Sequence, residues 1–184
     1  RHICECFHIP AQSGNDRILY EMNRRYNVAQ YSEIVKKIRS QIENVAITSD
    51  FIAGFPSETE EEFQDTIKLI EDLELDYANT AAYSPRPFTR AGKMTDSFID
   101  EEIKAKRLQI LNEKVKEASL KSNKKYIGKT LEVLIDGSKD GVYHGRTRNN
   151  KVVHLNDGKK YDIGQFVNVK IEEASTWCLF KHRR

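Results

Sequence analysis

With 184 residues, 32% of them charged, and a mean hydropathy of -0.65, the chain has the composition of a soluble protein with one sizeable core or two smaller ones. No run approaches the roughly 18 apolar residues of a membrane span, no signal or transit segment opens the chain, and three cysteines (Cys4, Cys6 and Cys178) make no disulfide framework. The net charge of +2 hides a division: 16 basic against 21 acidic residues leave −5 over residues 1–120, whereas 14 against 7 leave +7 over residues 121–184. A basic end of that strength calls for an anionic partner, with nucleic acid leading the candidates. Cys4 and Cys6 stand too close for a zinc knuckle and read as reduced thiols, so no metal ligands are expected. The opening on Arg1 rather than Met reads as a piece of a longer protein.

In chain order, His8-Ile-Pro-Ala-Gln-Ser-Gly14 is a short apolar stretch and a polar loop, with Asn15 or Asp16 placed to cap a helix carrying Ile18, Leu19 and Met22. Gln12 and Ser13 offer amide and hydroxyl groups either to a small ligand or to the loop's own backbone. A second helix is predicted from about Ala29 to Gln41, with Ile34, Ile38 and Ile42 on one side and Val35 beside them. The strand Val45–Ile52 then runs into a turn holding Gly54 and Pro56. Strand, glycine-containing turn and helix in that order build the rim of a ligand site in an α/β protein.

Either Ser57 with Glu60 or Thr59 with Glu62 makes a capping box for the next helix, whose buried stripe is Phe63, Ile67, Ile70 and Leu73. After a strand at Tyr77–Tyr83, prolines flank Arg86, and a stiff loop holding Arg86 and Arg90 suits an anionic or planar substrate. A long charged helix from Asp100 to about Asn123 is expected to bury Ile103, Leu108, Leu111, Val115 and Ala118. Beyond it the period shifts to two. Leu131-Val133-Ile135, Val152-Val153-Leu155 and Val167-Val169-Ile171 read as short strands separated by Asp-Gly and Asn-Asn turns, which suggests a small closed β-barrel. Arg146, Arg148 and Lys151 form its expected phosphate-contacting surface, and Tyr143 reads as a core residue rather than a base-stacking one.

Four segments carry a resemblance: His8-Ile-Pro-Ala-Gln-Ser-Gly14, Met22-Asn-Arg24, Ser49-Asp-Phe-Ile-Ala-Gly-Phe-Pro-Ser-Glu-Thr59 and Tyr83-Ser-Pro-Arg86, in that order. Together they resemble the radical S-adenosylmethionine methylthiotransferases of the tRNA 2-methylthioadenosine synthase type. Ala11, Ala53 and Thr89-Arg-Ala91 look most like the animal mitochondrial branch. The basic tail, with Gly128, Gly145-Arg-Thr147 and Gly164, resembles that family's TRAM domain.

The resemblance implies an α/β fold: the second half of a partial (βα)6 TIM-like barrel over residues 1–123, then a five-stranded antiparallel TRAM barrel that binds RNA over residues 124–184. It implies insertion of a methylthio group at C2 of an N6-modified adenosine beside the anticodon. The alternatives are a non-catalytic RNA-binding fragment and a methylthiotransferase acting on a ribosomal protein. It implies S-adenosylmethionine and two [4Fe–4S] clusters in the full-length protein; no Cys-x-x-x-Cys-x-x-Cys is present, so this stretch ligates neither cluster and is expected to be inactive alone. By the same resemblance Gln12, Ser13, Arg24, Ile52 and Gly54 contact the cofactor, with Arg24 on its carboxylate, while Ser84, Arg86 and Arg90 face the substrate and no residue is itself catalytic. The implied partners are a tRNA anticodon stem-loop and an external electron donor, for a monomeric protein in the mitochondrion or, alternatively, the cytoplasm. Two departures concern shape: Ser57 and Phe88 each stand where the family commonly has glycine. Phe180, also at a frequent glycine position, raises the question of whether the barrel closes.

Overall fold

A computed structural model describes residues 3–182, which divide into two compact units. The first comprises His8–Glu43 and Ile47–Ala118; the second takes the chain up to Phe7, Asn44–Ala46 and everything from Ser119 on.

The α/β elements belong chiefly to the first unit. Strands β1 (Cys6–His8), β2 (Ala46–Ala53) and β3 (Tyr77–Ala82) form one sheet in the order β1-β2-β3, and β2 and β3 run parallel. Between them come α1 (Asp16–Glu21), α2 (Val28–Gln41) and α3 (Glu60–Asp72), and after them α4 (Glu101–Lys124). Asn15 caps α1 by accepting from the Arg17 and Ile18 amides, and Asn27 with Gln30 makes a capping box for α2. Of the two starts open to α3, the Thr59–Glu62 box forms. Ser57 is taken elsewhere: its φ is 66°, and its hydroxyl and carbonyl accept from Arg17 at 3.1 and 2.9 Å. Phe63, Ile67, Ile70 and Leu73 are buried as their spacing predicts.

Two stripes differ from expectation. On α2 the buried residues are Tyr31 and Val35, and Ile34 is exposed; the Tyr31 hydroxyl reaches the Ile9 carbonyl at 2.8 Å and Ser49 at 3.2 Å, which brings that edge of the helix inward. On α4 Ile103 is exposed, while Lys104 and Arg107 are buried beside Leu111 and Val115. Their long aliphatic stems cover apolar surface and their heads find partners, which pattern reading by polarity alone does not register.

The second unit carries a six-stranded sheet in the order β7-β4-β5-β6-β9-β8, built from β4 (Thr130–Lys139), β5 (Val142–Thr147), β6 (Val152–Asn156), β7 (Phe166–Lys170), β8 (Glu173–Ala174) and β9 (Cys178–His182). It is not wholly antiparallel, because β6 and β9 run parallel. Only Ile171 and Glu172 separate β7 from β8, so one stretch of chain carries both ends of the sheet. Its inner face packs Val133, Ile135, Val153, Leu155, Val169, Ile171 and Leu179 around Tyr126, with Tyr143 set against the same core. Phe180 is accommodated by stacking between His154 (centroids 5.6 Å apart) and His182 (5.8 Å).

Candidate functional site

The carboxyl ends of β2 and β3 open on a cleft of about 790 Å³ in the first unit, lined among others by Gln12, Arg24, Ile52, Ser84, Arg86 and Arg90. That volume suits a small organic ligand or a single nucleotide. Six of the eight residues expected at the cofactor and substrate sites therefore share one hollow. Gln12 reaches it through a backbone bent to φ 71°, held from both sides: its amide donates to Asp50 at 2.8 Å and its carbonyl accepts from Ile52 at 3.0 Å. With the main chain so occupied, the Gln12 side-chain amide has no intramolecular partner among the described residues. Among the described residues neither Arg24 nor Arg86 has a side-chain ion-pair partner, whereas Arg90 lies 3.3 Å from Glu21. The apolar wall is Ile52, Phe55, Ala81 and Ala82.

The other two expected residues are buried and are not among those lining the cleft. Ser13 is buried; its hydroxyl accepts from the Asn15 amide at 3.2 Å, and Thr66 beside it holds the Gly14 amide. Gly54 is buried at φ 75°, and a Cβ there would come within 2.3 Å of the Lys104 side chain. Glycine is thus required at this turn both by backbone conformation and by the close pass of α4. The Gly54 amide donates to Glu58 at 2.8 Å, and Glu58 is clamped by Arg107 at 3.0 Å. Burial raises the Glu58 carboxyl above its ordinary value, partly opposed by the Gly54 amide and the Arg107 guanidinium. This buried pair fixes the turn that ends β2.

Tyr83, Glu21, Asn23 and Thr89 also line the cleft, and sequence reading gave them no role. Tyr83 packs edge-on to Phe55 at 5.3 Å, and its buried hydroxyl has no partner among the described residues. The usable signal was its place at the head of Tyr83-Ser-Pro-Arg86.

In the second unit the three cations expected to face phosphate are engaged within the chain. Arg148 forks onto both Glu5 oxygens at 3.0 Å and donates to the Ile3 carbonyl, and its guanidinium holds the Glu5 carboxyl below the ordinary range. Arg146 bonds Asn150 at 2.9 Å and lies 3.4 Å from Asp136. Lys151 bonds Ser122 at 3.2 Å and sits over the Tyr126 ring.

Comparison with known proteins agrees with both halves. Residues 2–70 match the description "Radical SAM superfamily" and residues 124–180 match "TRAM domain". Over 181 residues the chain is 49% identical to the tRNA-2-methylthio-N(6)-dimethylallyladenosine synthase of Bacillus cytotoxicus, covering 97% of this chain and 35% of that protein. Over nearly its whole length the chain is similar to radical S-adenosylmethionine methylthiotransferases. Two further members with the same name, from Geobacillus thermodenitrificans and Clostridium botulinum, are 45% and 44% identical over 97% and 96% of this chain and 34% and 40% of their own lengths. The chain thus spans little more than a third of the curated relatives it matches. Coproporphyrinogen III oxidase of Escherichia coli, described as a radical SAM enzyme, shares the fold: TM-score 0.54 at 19% identity over 62% of this chain and 27% of that one.

Proposed function

We propose that this chain supplies the S-adenosylmethionine- and RNA-facing parts of a tRNA methylthiotransferase that modifies C2 of an N6-substituted adenosine next to the anticodon. The observation that carries the reading is the set of uncommitted groups around one cleft: the Gln12 amide and the Arg24 and Arg86 guanidiniums, opposite an apolar wall of Ile52 and Phe55. These groups fit S-adenosylmethionine. A guanidinium is the fork that a carboxylate takes up, an amide can both donate to and accept from a ribose or amino group, and a flat apolar wall accepts an adenine. The cofactor, when bound, supplies the one-electron chemistry. The chain's own residues bind and orient: Arg24 the carboxylate, Gln12 the polar middle, Ile52 the base, while Ser84, Arg86 and Arg90 receive the substrate. For the tail, the +7 over residues 121–184 favours tRNA over a basic ribosomal protein.

Iron–sulfur ligands do not fit the residues present. Among the described residues no group of His, Cys, Asp or Glu is placed to hold a metal ion, and the three cysteines lack the triple spacing. That donor set favours a second reading, in which the chain as it stands binds cofactor and RNA without turning either over.

Equilibrium dialysis against labelled S-adenosylmethionine tests the assignment. Wild type should bind, and Arg24→Ala and Gln12→Ala should each weaken binding by about tenfold, the worth of one good polar contact. Undetectable binding, or variants that bind as well as wild type, would refute it.

A further inference from the structure

Phe88 is 99% exposed and its φ is 67°, in the left-handed region that a bulky side chain rarely enters. A residue held there costs on the order of 1–3 kcal/mol, and an aromatic ring that buries nothing returns none of it. Glycine would remove both penalties. The loop nevertheless keeps the backbone in this form. The Thr89 hydroxyl donates to the Arg86 carbonyl at 2.9 Å and accepts from the Gly92 amide at 2.9 Å, and Gly92 packs so close that a Cβ would come within 2.3 Å of the Arg86 carbonyl. Pro85 and Pro87 stiffen the approach. The ring is therefore presented by a rigid support, with no ring partner among the described residues.

Its neighbours indicate the occupant. Arg86, Thr89, Arg90 and Ala91 line the cleft on either side of Phe88, and the Arg86 guanidinium has no partner among the described residues. A flat apolar face between two arginines matches the chemistry of unpaired nucleic acid, in which a base stacks on the ring and flanking phosphates meet the cations. We propose that Phe88 is a stacking post for a nucleobase of single-stranded RNA adjacent to the nucleotide that enters the cleft, holding the loop's own base stack open. The backbone cost stays in place because an aromatic ring there meets substrate. This rests on the RNA reading above.

The test uses the full chain and an RNA hairpin with an adenosine-containing loop, with 2-aminopurine beside the central adenosine. Phe88→Gly should melt no lower than wild type, since the strain is relieved, yet bind the hairpin about 5- to 100-fold more weakly, the range for loss of one stacked base. Phe88→Leu, apolar but without a ring, should weaken binding in the same direction, and Phe88→Trp should restore it. Hairpin binding by wild type should brighten 2-aminopurine as it leaves its neighbours, and Phe88→Gly should leave it near the free-RNA level. If wild type binds with a salt-dependent affinity and all three variants lie within twofold of it, the stacking role is overturned while the RNA reading stands. If wild type does not bind the hairpin, both fall.

Discussion

Arg107 reaches the Glu58 carboxylate at 3.0 Å, the Glu58 carbonyl at 3.1 Å and Glu60 at 3.2 Å, and lies 5.4 Å from the Phe63 ring centre. Glu58 is 2% exposed, and one of its two oxygens has no partner among the described residues. Replacing Arg107 by Met keeps most of the packing on Phe63 but strands a buried carboxylate. Losing one member of a buried ion pair costs about 3–5 kcal/mol; with Met filling the space, about 3 kcal/mol is expected at pH 8. The penalty must depend on pH. Burial already raises the Glu58 carboxyl, and without Arg107 it rises further. A carboxyl raised on folding contributes stability that is complete below the unfolded value of about 4.3 and is lost as pH climbs through the folded value. The Arg107→Met penalty should therefore shrink at pH 5, by about 1.4 kcal/mol for each further unit of elevation. Adding Glu58→Gln should recover much of the loss at pH 8. Urea unfolding followed by circular dichroism at both pH values measures this, with hydrogen exchange at the Gly54 amide as a local readout. Equal penalties at pH 5 and pH 8, or a double variant no better than the single, would refute the reasoning.

Three further outcomes follow from local geometry. Glu74 follows the C-cap of α3 at φ 44°, where glycine is preferred, so Glu74→Gly should raise stability by about 0.5–1 kcal/mol, read as a higher urea midpoint at unchanged slope. Thr59→Ala removes the hydroxyl that receives the Glu62 amide and should cost about 1 kcal/mol by the same assay. A Cβ at Gly145 would meet the Leu134 carbonyl at 2.2 Å inside the β4–β5 pair, so Gly145→Ala should cost 2 kcal/mol or more, roughly the upper range for overpacking. Fluorescence of the single tryptophan, Trp177, reports that loss from within the same unit.

The sequence was most legible where local rules agree with tertiary packing. In α3 a capping box, three acidic residues in the first turn and an apolar stripe all point one way, and the helix forms as expected. Its start was ambiguous between Ser57 and Thr59 because the Arg17 contacts that occupy Ser57 come from 40 residues away. The α4 stripe misled for a related reason: Lys104 and Arg107 turn inward toward Tyr83, Glu58 and Glu60, which no periodicity records. The cleft was foreseeable because its residues follow strand ends, whereas the burial of Ser13 and Gly54, from the same motifs, depends on contacts with Thr66 and Lys104 that lie far off in sequence. Exposure is the least legible property. Phe88 read as a flaw in a loop, and only its backbone angle and open ring give it meaning.

One more consequence comes from the bond between Arg148 and Glu5, residues 143 apart in sequence. A tail excised from Ser119 onward would lack Glu5 and also Asn44, whose carbonyl takes the Asn149 amide at 2.8 Å. It would show nucleic acid a guanidinium that the longer chain keeps neutralised. On the proposed RNA reading, affinities measured on such a truncation would exceed those of the parent, with a steeper dependence on ionic strength.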